Sequence, residues 1–120
     1  MDEVTVDELA ARLGEDDLLL LDVRTHGEFV GALGAPCDPR HGRIPGARHL
    51  ELGELLRLRV DEVRERVGAA PGAEVIAYCH SGNRSAQAVT ILTAAGYAAR
   101  NYSGSWHEWS HDDSLPAEQG

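Results

Sequence analysis

The sequence predicts an α/β domain built around a mostly parallel sheet, and two apolar runs carry this prediction. Residues 18–21 and 75–78 are apolar without alternation, which is typical of strands buried on both faces. Segments with helical signals precede and follow these runs. Because ligands bind outside the carboxyl ends of parallel strands, Asp22, Arg24 and Cys79 are expected at one functional edge.

The first half of the chain predicts one helix, two strands and a long loop. Thr5 and Glu8 fit a capping box for a helix that ends near Gly14. Residues 18–23 form the first strand, and a short strand is expected at residues 47–50. Residues 31–46 are rich in glycine and proline, and loops of this length are usually functional or mobile.

The second half continues the alternation and ends in a tail. Its predicted elements are helices at residues 51–58 and 60–67, a strand at 74–78, a helix at 84–95, an edge strand at 97–101 and a helical turn at 105–109. We expect a single domain over residues 1–111, followed by a frayed tail at residues 112–120.

Composition excludes several classes of partner. The formal net charge of −9 argues against nucleic acid and against an anionic membrane surface, since both require a basic face. No apolar run approaches the roughly 20 residues that a membrane span needs. The two cysteines are too few for a disulfide scaffold. An acidic N-terminus without an apolar signal segment predicts a cytoplasmic location, where a free thiol persists.

The most informative motif is the run Cys79-His80-Ser81-Gly82-Asn83-Arg84-Ser85, which joins a predicted strand to a predicted helix. Backbone N–H groups of residues 80–85 can converge there on the sulfur, and the helix dipole adds positive potential. Gly82 permits a positive φ, and Arg84 offers a planar fork for an oxyanion. Such a site lowers a thiol pKa from ~8.5 to ~3.5–7.5. The alternative is a buried, inert thiol.

Four segments carry a resemblance to a known family. They are Leu21-Asp22-Val23-Arg24 with Glu28-Phe29 following, residues 42–47, the run from Cys79 to Ser85, and residues 101–109. Across residues 18–109 the chain resembles a rhodanese-type sulfurtransferase. The last two segments are similar to the catalytic half of thiosulfate and 3-mercaptopyruvate sulfurtransferases, which often carry two such domains.

The resemblance implies a three-layer rhodanese-like domain with a central, mostly parallel, five-stranded sheet. It implies that Cys79 takes the outer sulfur of thiosulfate as a persulfide and passes it to cyanide or a thiol. By the same resemblance, residues 80–85 (His80, Ser81, Gly82, Asn83, Arg84 and Ser85) bind the substrate, with Asp22 and Arg24 in support. Neither a metal nor an organic cofactor is implied.

The length and composition of the loop refine the prediction. Four residues separate Cys79 from Arg84, as in sulfurtransferases, whereas related phosphatases and arsenate reductases have one residue more. His80 stands where many relatives have arginine, so a titratable group replaces a permanent cation. The loop lacks the Gly-Ser-Gly-Val-Thr run of mercaptopyruvate enzymes, which favours thiosulfate as the donor.

Several alternatives stay open at this point. The chain can instead be a carrier that receives persulfide sulfur from a partner protein, with residues 31–46 as a docking site. A Cys37–Cys79 disulfide would indicate a redox enzyme, although Cys37 has no activator visible in the sequence. Arg24 is interpreted as a local partner of Glu28 at a helix start. His107 and His111 lie four residues apart, but no HExxH or CxxC motif supports a metal site.

Overall fold

A computed structural model describes residues 3–120; Met1 and Asp2, which the predicted domain includes, lie outside the described residues. The elements in this range are α1 (Val6–Arg12), β1 (Leu18–Asp22), α2 (His26–Val30), β2 (Arg48–His49), α3 (Leu52–Leu55), α4 (Val60–Val67), β3 (Glu74–Tyr78), α5 (Asn83–Ala94), β4 (Ala98–Asn101) and α6 (Ser105–Ser110). Strands and helices alternate as the apolar runs predict.

The sheet is parallel, with the strand order β2-β1-β3-β4. Asp22 pairs with Tyr78 in register, so β1 and β3 end side by side. Residues 3–120 contain four strands, and the five strands that the resemblance implied are not found. A single parallel bridge joins Glu3 to Asn101 at the outer edge of β4. It does not lengthen into a strand because Thr5 already caps α1.

Helices cover both faces of the sheet, which gives the three layers expected. Alternate residues of β1 and β3 point to opposite faces. One core joins the sheet to α3, α4 and α5 through residues such as Leu21, Val75, Leu55, Val63 and Leu92. The other core joins it to α1 and α6 through residues such as Leu20, Ile76, Leu9, Trp106 and Trp109.

The boundaries of some helices and strands differ from the predicted ones where the sequence signals for these elements are weak. The short strand expected at residues 47–50 is Arg48–His49, and the helix expected at 51–58 is the single turn Leu52–Leu55. Helix α2 is not among the elements predicted above, although the interpretation of Arg24 and Glu28 places a helix start at this point. Its capping box, in which Thr25 and Glu28 bond each other's backbone N–H groups, is nevertheless readable in the sequence.

The C-terminal segment has specific partners in place of the frayed end that we expected. Trp109 Nε1 donates to the Pro116 carbonyl at 2.7 Å. Backbone hydrogen bonds join Glu118 to Arg43 in both directions, and the Gly120 N–H donates to the Val30 carbonyl. The segment therefore lies along the loop that follows α2. In residues 3–120, no helix combines the length and apolar character required to span a bilayer.

Candidate active site

Cys79 lies directly after β3, and α5 begins four residues later at Asn83. Gly82 makes this tight turn possible, with a φ of 96° in the left-handed region. A Cβ atom at Gly82 would lie 2.6 Å from the Ser103 carbonyl oxygen. The Gly82 carbonyl accepts a hydrogen bond from Asn101 Nδ2 at 3.2 Å. The turn is therefore held against the segment that follows β4, with no room for a side chain.

Two backbone N–H donors and one hydroxyl group surround the Cys79 sulfur. The Gly82 N–H donates to Sγ at an N–S distance of 3.1 Å, and the Ser85 N–H donates at 3.4 Å. The Ser85 hydroxyl oxygen lies 3.3 Å from the same sulfur. Cys79 is 1% exposed, so few water molecules compete for these donors. Backbone N–H groups therefore converge on the sulfur, as the sequence predicts.

The surroundings lower the pKa of the Cys79 thiol from its ordinary value. Burial is the largest single influence and raises the pKa, because it penalises the charged sulfur. Hydrogen bonds from the Ser85 hydroxyl and from the backbone N–H groups of Ser85, Gly82 and Ser81 outweigh it. The first turn of α5 adds a favourable dipole. The site can therefore hold a thiolate at a lower pH than free cysteine.

Helix α6 holds the backbone on the other side of the cysteine. The Cys79 N–H donates to Ser105 Oγ at 3.1 Å, and this hydroxyl donates in turn to the Tyr102 carbonyl. The Trp106 and His107 N–H groups donate to the carbonyls of Cys79 and His80, each at 2.9 Å. Sequence reasoning missed Ser105, whose positive φ of 56° gives no signal in the sequence.

Arg84 is already engaged by a carboxylate. Its guanidinium donates to the Glu28 carboxylate through two hydrogen bonds, at 2.9 and 3.2 Å. Burial raises the pKa of Glu28, but the bonds from Arg84 and Thr25 prevail and lower it to about 2. The planar fork of Arg84 was predicted to be available to an oxyanion, but the structure gives it a fixed partner in α2.

Asp22 and Arg24 form a buried ion pair at 2.8 Å. The predicted pairing of Arg24 with Glu28 is wrong, because Arg24 is turned inward and bonds both Asp22 oxygens. The Tyr78 hydroxyl donates to Asp22 Oδ2 at 2.7 Å and accepts from the Ile44 N–H. Arg24 also donates to the Gly42 carbonyl. The pair therefore ties the loop before β2 to the ends of β1 and β3.

The other predicted loop residues lie on the open side of the turn. Ser81 and Asn83 are exposed, while His80 is half-buried. The His80 ring lies beside Asp38, with Nε2 2.9 Å from Oδ2. Of the predicted site, residues 79, 82 and 85 therefore meet at the sulfur. The side chains of residues 22, 24 and 84 support the surrounding backbone through partners of their own.

Comparison with known proteins finds relatives that match most of this chain. The family model described as "Rhodanese-like domain" matches residues 5–112. A thiosulfate sulfurtransferase of Pseudomonas aeruginosa is 34% identical over 119 residues, and a probable 3-mercaptopyruvate sulfurtransferase of the same organism is 35% identical over 122 residues. These alignments cover 92% and 93% of this chain but 43% of each relative.

A solved structure of a similarly named protein has the same fold. A crystal structure of a probable thiosulfate sulfurtransferase superposes with a TM-score of 0.84 at 46% identity, and it covers 97% of this chain and 47% of the other. The chain therefore spans less than half the length of these relatives.

Proposed function

This chain belongs to the rhodanese-like domain family, and we propose that it transfers a sulfane sulfur from thiosulfate to cyanide or a thiol acceptor. The observation that carries the proposal is the hydrogen bonding of the Cys79 sulfur by Gly82 and Ser85 at the start of α5. A sulfur held in this way is a nucleophile when it is ionised. Asp22 and Arg24 act in support, by fixing the ends of the two central strands.

In the first step the Cys79 thiolate attacks the outer sulfur of thiosulfate. A bond forms between Sγ and that sulfur, the bond from that sulfur to the sulfonate breaks, and sulfite leaves with the electron pair. The product is a Cys79 persulfide with one negative charge on its terminal sulfur. The N–H groups of Asn83 and Arg84 belong to the first turn of α5, where backbone donors have no partner within the helix. They are suited to receive this second charged sulfur.

In the second step cyanide or a thiolate attacks the terminal sulfur of the persulfide. The bond between the two sulfurs breaks, the product leaves as thiocyanate or as an acceptor persulfide, and the Cys79 thiolate is regenerated. Charge and atoms balance in both steps without an added oxidant or reductant. Two half-reactions on one nucleophile predict ping-pong kinetics.

The burial of the sulfur favours a small donor. Cys79 is 1% exposed, and the exposed residues Ser81 and Asn83 mark the side from which a molecule can reach it. Thiosulfate is compact and doubly charged, and it needs only the donors of the loop. The loop departs from the Gly-Ser-Gly-Val-Thr run of mercaptopyruvate enzymes. A comparison of initial rates with thiosulfate and 3-mercaptopyruvate separates the two donors.

The proposal is tested by incubating the protein with thiosulfate and measuring its intact mass. We expect the mass of one added sulfur, and we expect thiocyanate to form when cyanide follows. Cys79→Ser is expected to lose both signals. Cys37→Ser, which removes the other cysteine of the chain, is the matched control and is expected to keep the added sulfur. A native protein that gains no sulfur, or a Cys79→Ser variant that still gains it, would contradict the proposal.

A further inference from the structure

Four side chains with metal-binding atoms meet beside the Cys79 loop. Cys37 and Asp38 come from the loop after α2, His80 follows Cys79, and His107 lies on α6. We call these four residues the rim cluster. One ligand atom from each lies within 4.8 Å of the other three. Sequence analysis predicted no metal site, because these donors come from three separate segments that no spacing motif connects.

Asp38 provides the strongest sign that the rim cluster holds a cation. Its side chain is 1% exposed, and a buried carboxylate is costly unless its oxygens are paired. Oδ1 is 3.0 Å from His107 Nδ1 and pairs with it. Oδ2 is 2.9 Å from His80 Nε2, yet neither of these two atoms has a hydrogen bond of acceptable direction. Both atoms are thus close and buried, and neither has a hydrogen-bond partner in good geometry.

The distances in the rim cluster resemble the edges of a small coordination sphere. Cys37 Sγ is 3.9 Å from His107 Nδ1 and 3.8 Å from Asp38 Oδ1. Tetrahedral zinc with nitrogen, oxygen and sulfur ligands has ligand-to-ligand edges of about 3.3–3.6 Å. The separations in the rim cluster run from 2.9 Å to no more than 4.8 Å, so the widest pair lies at most about 1.2 Å beyond this range. Side-chain shifts of about 1 Å bring the widest pair to it.

We propose that the rim cluster is a binding site for a late first-row divalent cation, with zinc as the best fit. Two imidazoles, one thiolate and one carboxylate form the mixed nitrogen, sulfur and oxygen set that zinc accepts and that magnesium and calcium do not favour. The thiolate and the carboxylate together neutralise the charge of the ion. Bound there, the ion connects three segments beside the Cys79 sulfur: the loop after α2, the turn between β3 and α5, and α6. This inference does not rest on the proposed sulfur transfer.

The test is a titration of tag-free Cys79→Ser protein with Zn²⁺ by calorimetry, and with Co²⁺ by absorption spectroscopy. Cys79→Ser removes the active-site thiol, so any thiolate bound to the metal belongs to Cys37. We expect one equivalent of Zn²⁺ to bind. We also expect the intense visible bands of tetrahedral Co²⁺, together with a thiolate-to-metal charge-transfer band.

Three variants in the same background decide the outcome. Cys37→Ser is expected to abolish the charge-transfer band, and both Cys37→Ser and His107→Gln are expected to weaken Zn²⁺ binding by about tenfold or more. Both positions are exposed, so these changes leave the fold intact, which circular dichroism checks. His26→Gln, whose ring contacts His49, is the matched control and is expected to bind unchanged. The absence of stoichiometric binding, or binding unaffected by Cys37→Ser and His107→Gln together, would overturn the inference.

Discussion

The guanidinium of Arg84 and the carboxylate of Glu28 form a two-bond ion pair that joins α5 to α2 across 56 residues of sequence. The positive charge of Arg84 is therefore neutralised by Glu28 before any substrate anion binds. Attraction of a substrate anion must then depend mainly on the backbone N–H groups and on the dipole of α5. The arginine in turn orients the first turn of α5, where Ser85 meets the sulfur.

Glu28→Gln should make stability less dependent on pH in the acid range. The pKa of Glu28 falls from its usual 4.5 to about 2 in the folded protein. The contribution of Glu28 to folding stability is thus complete above its usual pKa, and it is lost as the pH falls toward its pKa in the folded protein. For this partly exposed pair we expect wild type to exceed Glu28→Gln by about 1 kcal/mol at pH 7.

Urea denaturation at pH 7, 4 and 3 measures this difference. The gap between wild type and Glu28→Gln should narrow steadily over that series. Glu65→Gln, at an exposed position of α4, is the control for the loss of a surface carboxylate. A gap of constant size at all three pH values would count against the ion pair as its source.

Ser85→Ala should raise the pKa of the Cys79 thiol. The hydroxyl of Ser85 is a hydrogen-bond partner of the sulfur, and its loss removes one stabilising contact from the thiolate. A hydrogen bond to a charged group is worth about 1.5–3 kcal/mol, so we expect a rise of about one to two pH units.

The pH dependence of alkylation, followed at Cys79 by peptide mass, gives this pKa directly. Ser81→Ala is the matched control, since Ser81 acts on the sulfur through its backbone N–H, which alanine keeps. Equal pKa values in Ser85→Ala and wild type would show that the hydroxyl does not stabilise the thiolate.

Gly82→Ala should destabilise the protein more than Gly72→Ala does. The two glycines have similar positive φ values, 96° and 91°, so alanine carries a similar backbone penalty at each. A Cβ at Gly82 meets the Ser103 carbonyl oxygen at 2.6 Å, whereas a Cβ at Gly72 has nothing within 4 Å. We expect about 1 kcal/mol from the backbone in both variants and a further 1–3 kcal/mol, roughly, at Gly82 alone. Equal urea midpoints for the two variants would argue against the close approach.

Asp22→Asn should be among the most destabilising single changes in the chain. It leaves the charge of Arg24, which is 2% exposed, without its partner, at a cost of about 3–5 kcal/mol. The double variant Asp22→Asn with Arg24→Met removes both charges and should regain a large part of that loss. Urea denaturation of the double variant and of both single variants, Asp22→Asn and Arg24→Met, tests the pair. If the double variant is as unstable as the sum of its single changes, the two residues do not act as a unit.

The parts of the site that were predictable from the sequence are local. An apolar strand, a cysteine, a glycine and a helix follow one another within residues 75–95. Short stretches of chain therefore fix the positions of Gly82 and Ser85 relative to Cys79. The alternation of strands and helices was predictable for the same reason. The Thr25–Glu28 capping box of α2 was equally local, yet only a helix start at Glu28 was inferred there, because the helix is little more than one turn long.

The parts that were not predictable depend on distant segments. Glu28 reaches Arg84 across 56 residues, and Asp38 meets His107 across 69. A prediction from short-range spacing paired Arg24 with Glu28, although the burial of the strand end favours Asp22. The fifth strand was inferred from the resemblance alone, and in residues 3–120 the outer edge of β4 carries an isolated bridge at Glu3 and no further strand.

The backbone bonds that Ser105, Trp106 and His107 make to Cys79 and His80 have a consequence for synthesis. A ribosome delivers the cysteine well before it delivers the helix that clamps it. Until that helix emerges, the backbone of Cys79 and His80 lacks these partners, although the donors to the sulfur itself lie within residues 81–85. The turn after β3 therefore acquires its full set of backbone partners only when α6 has been synthesised.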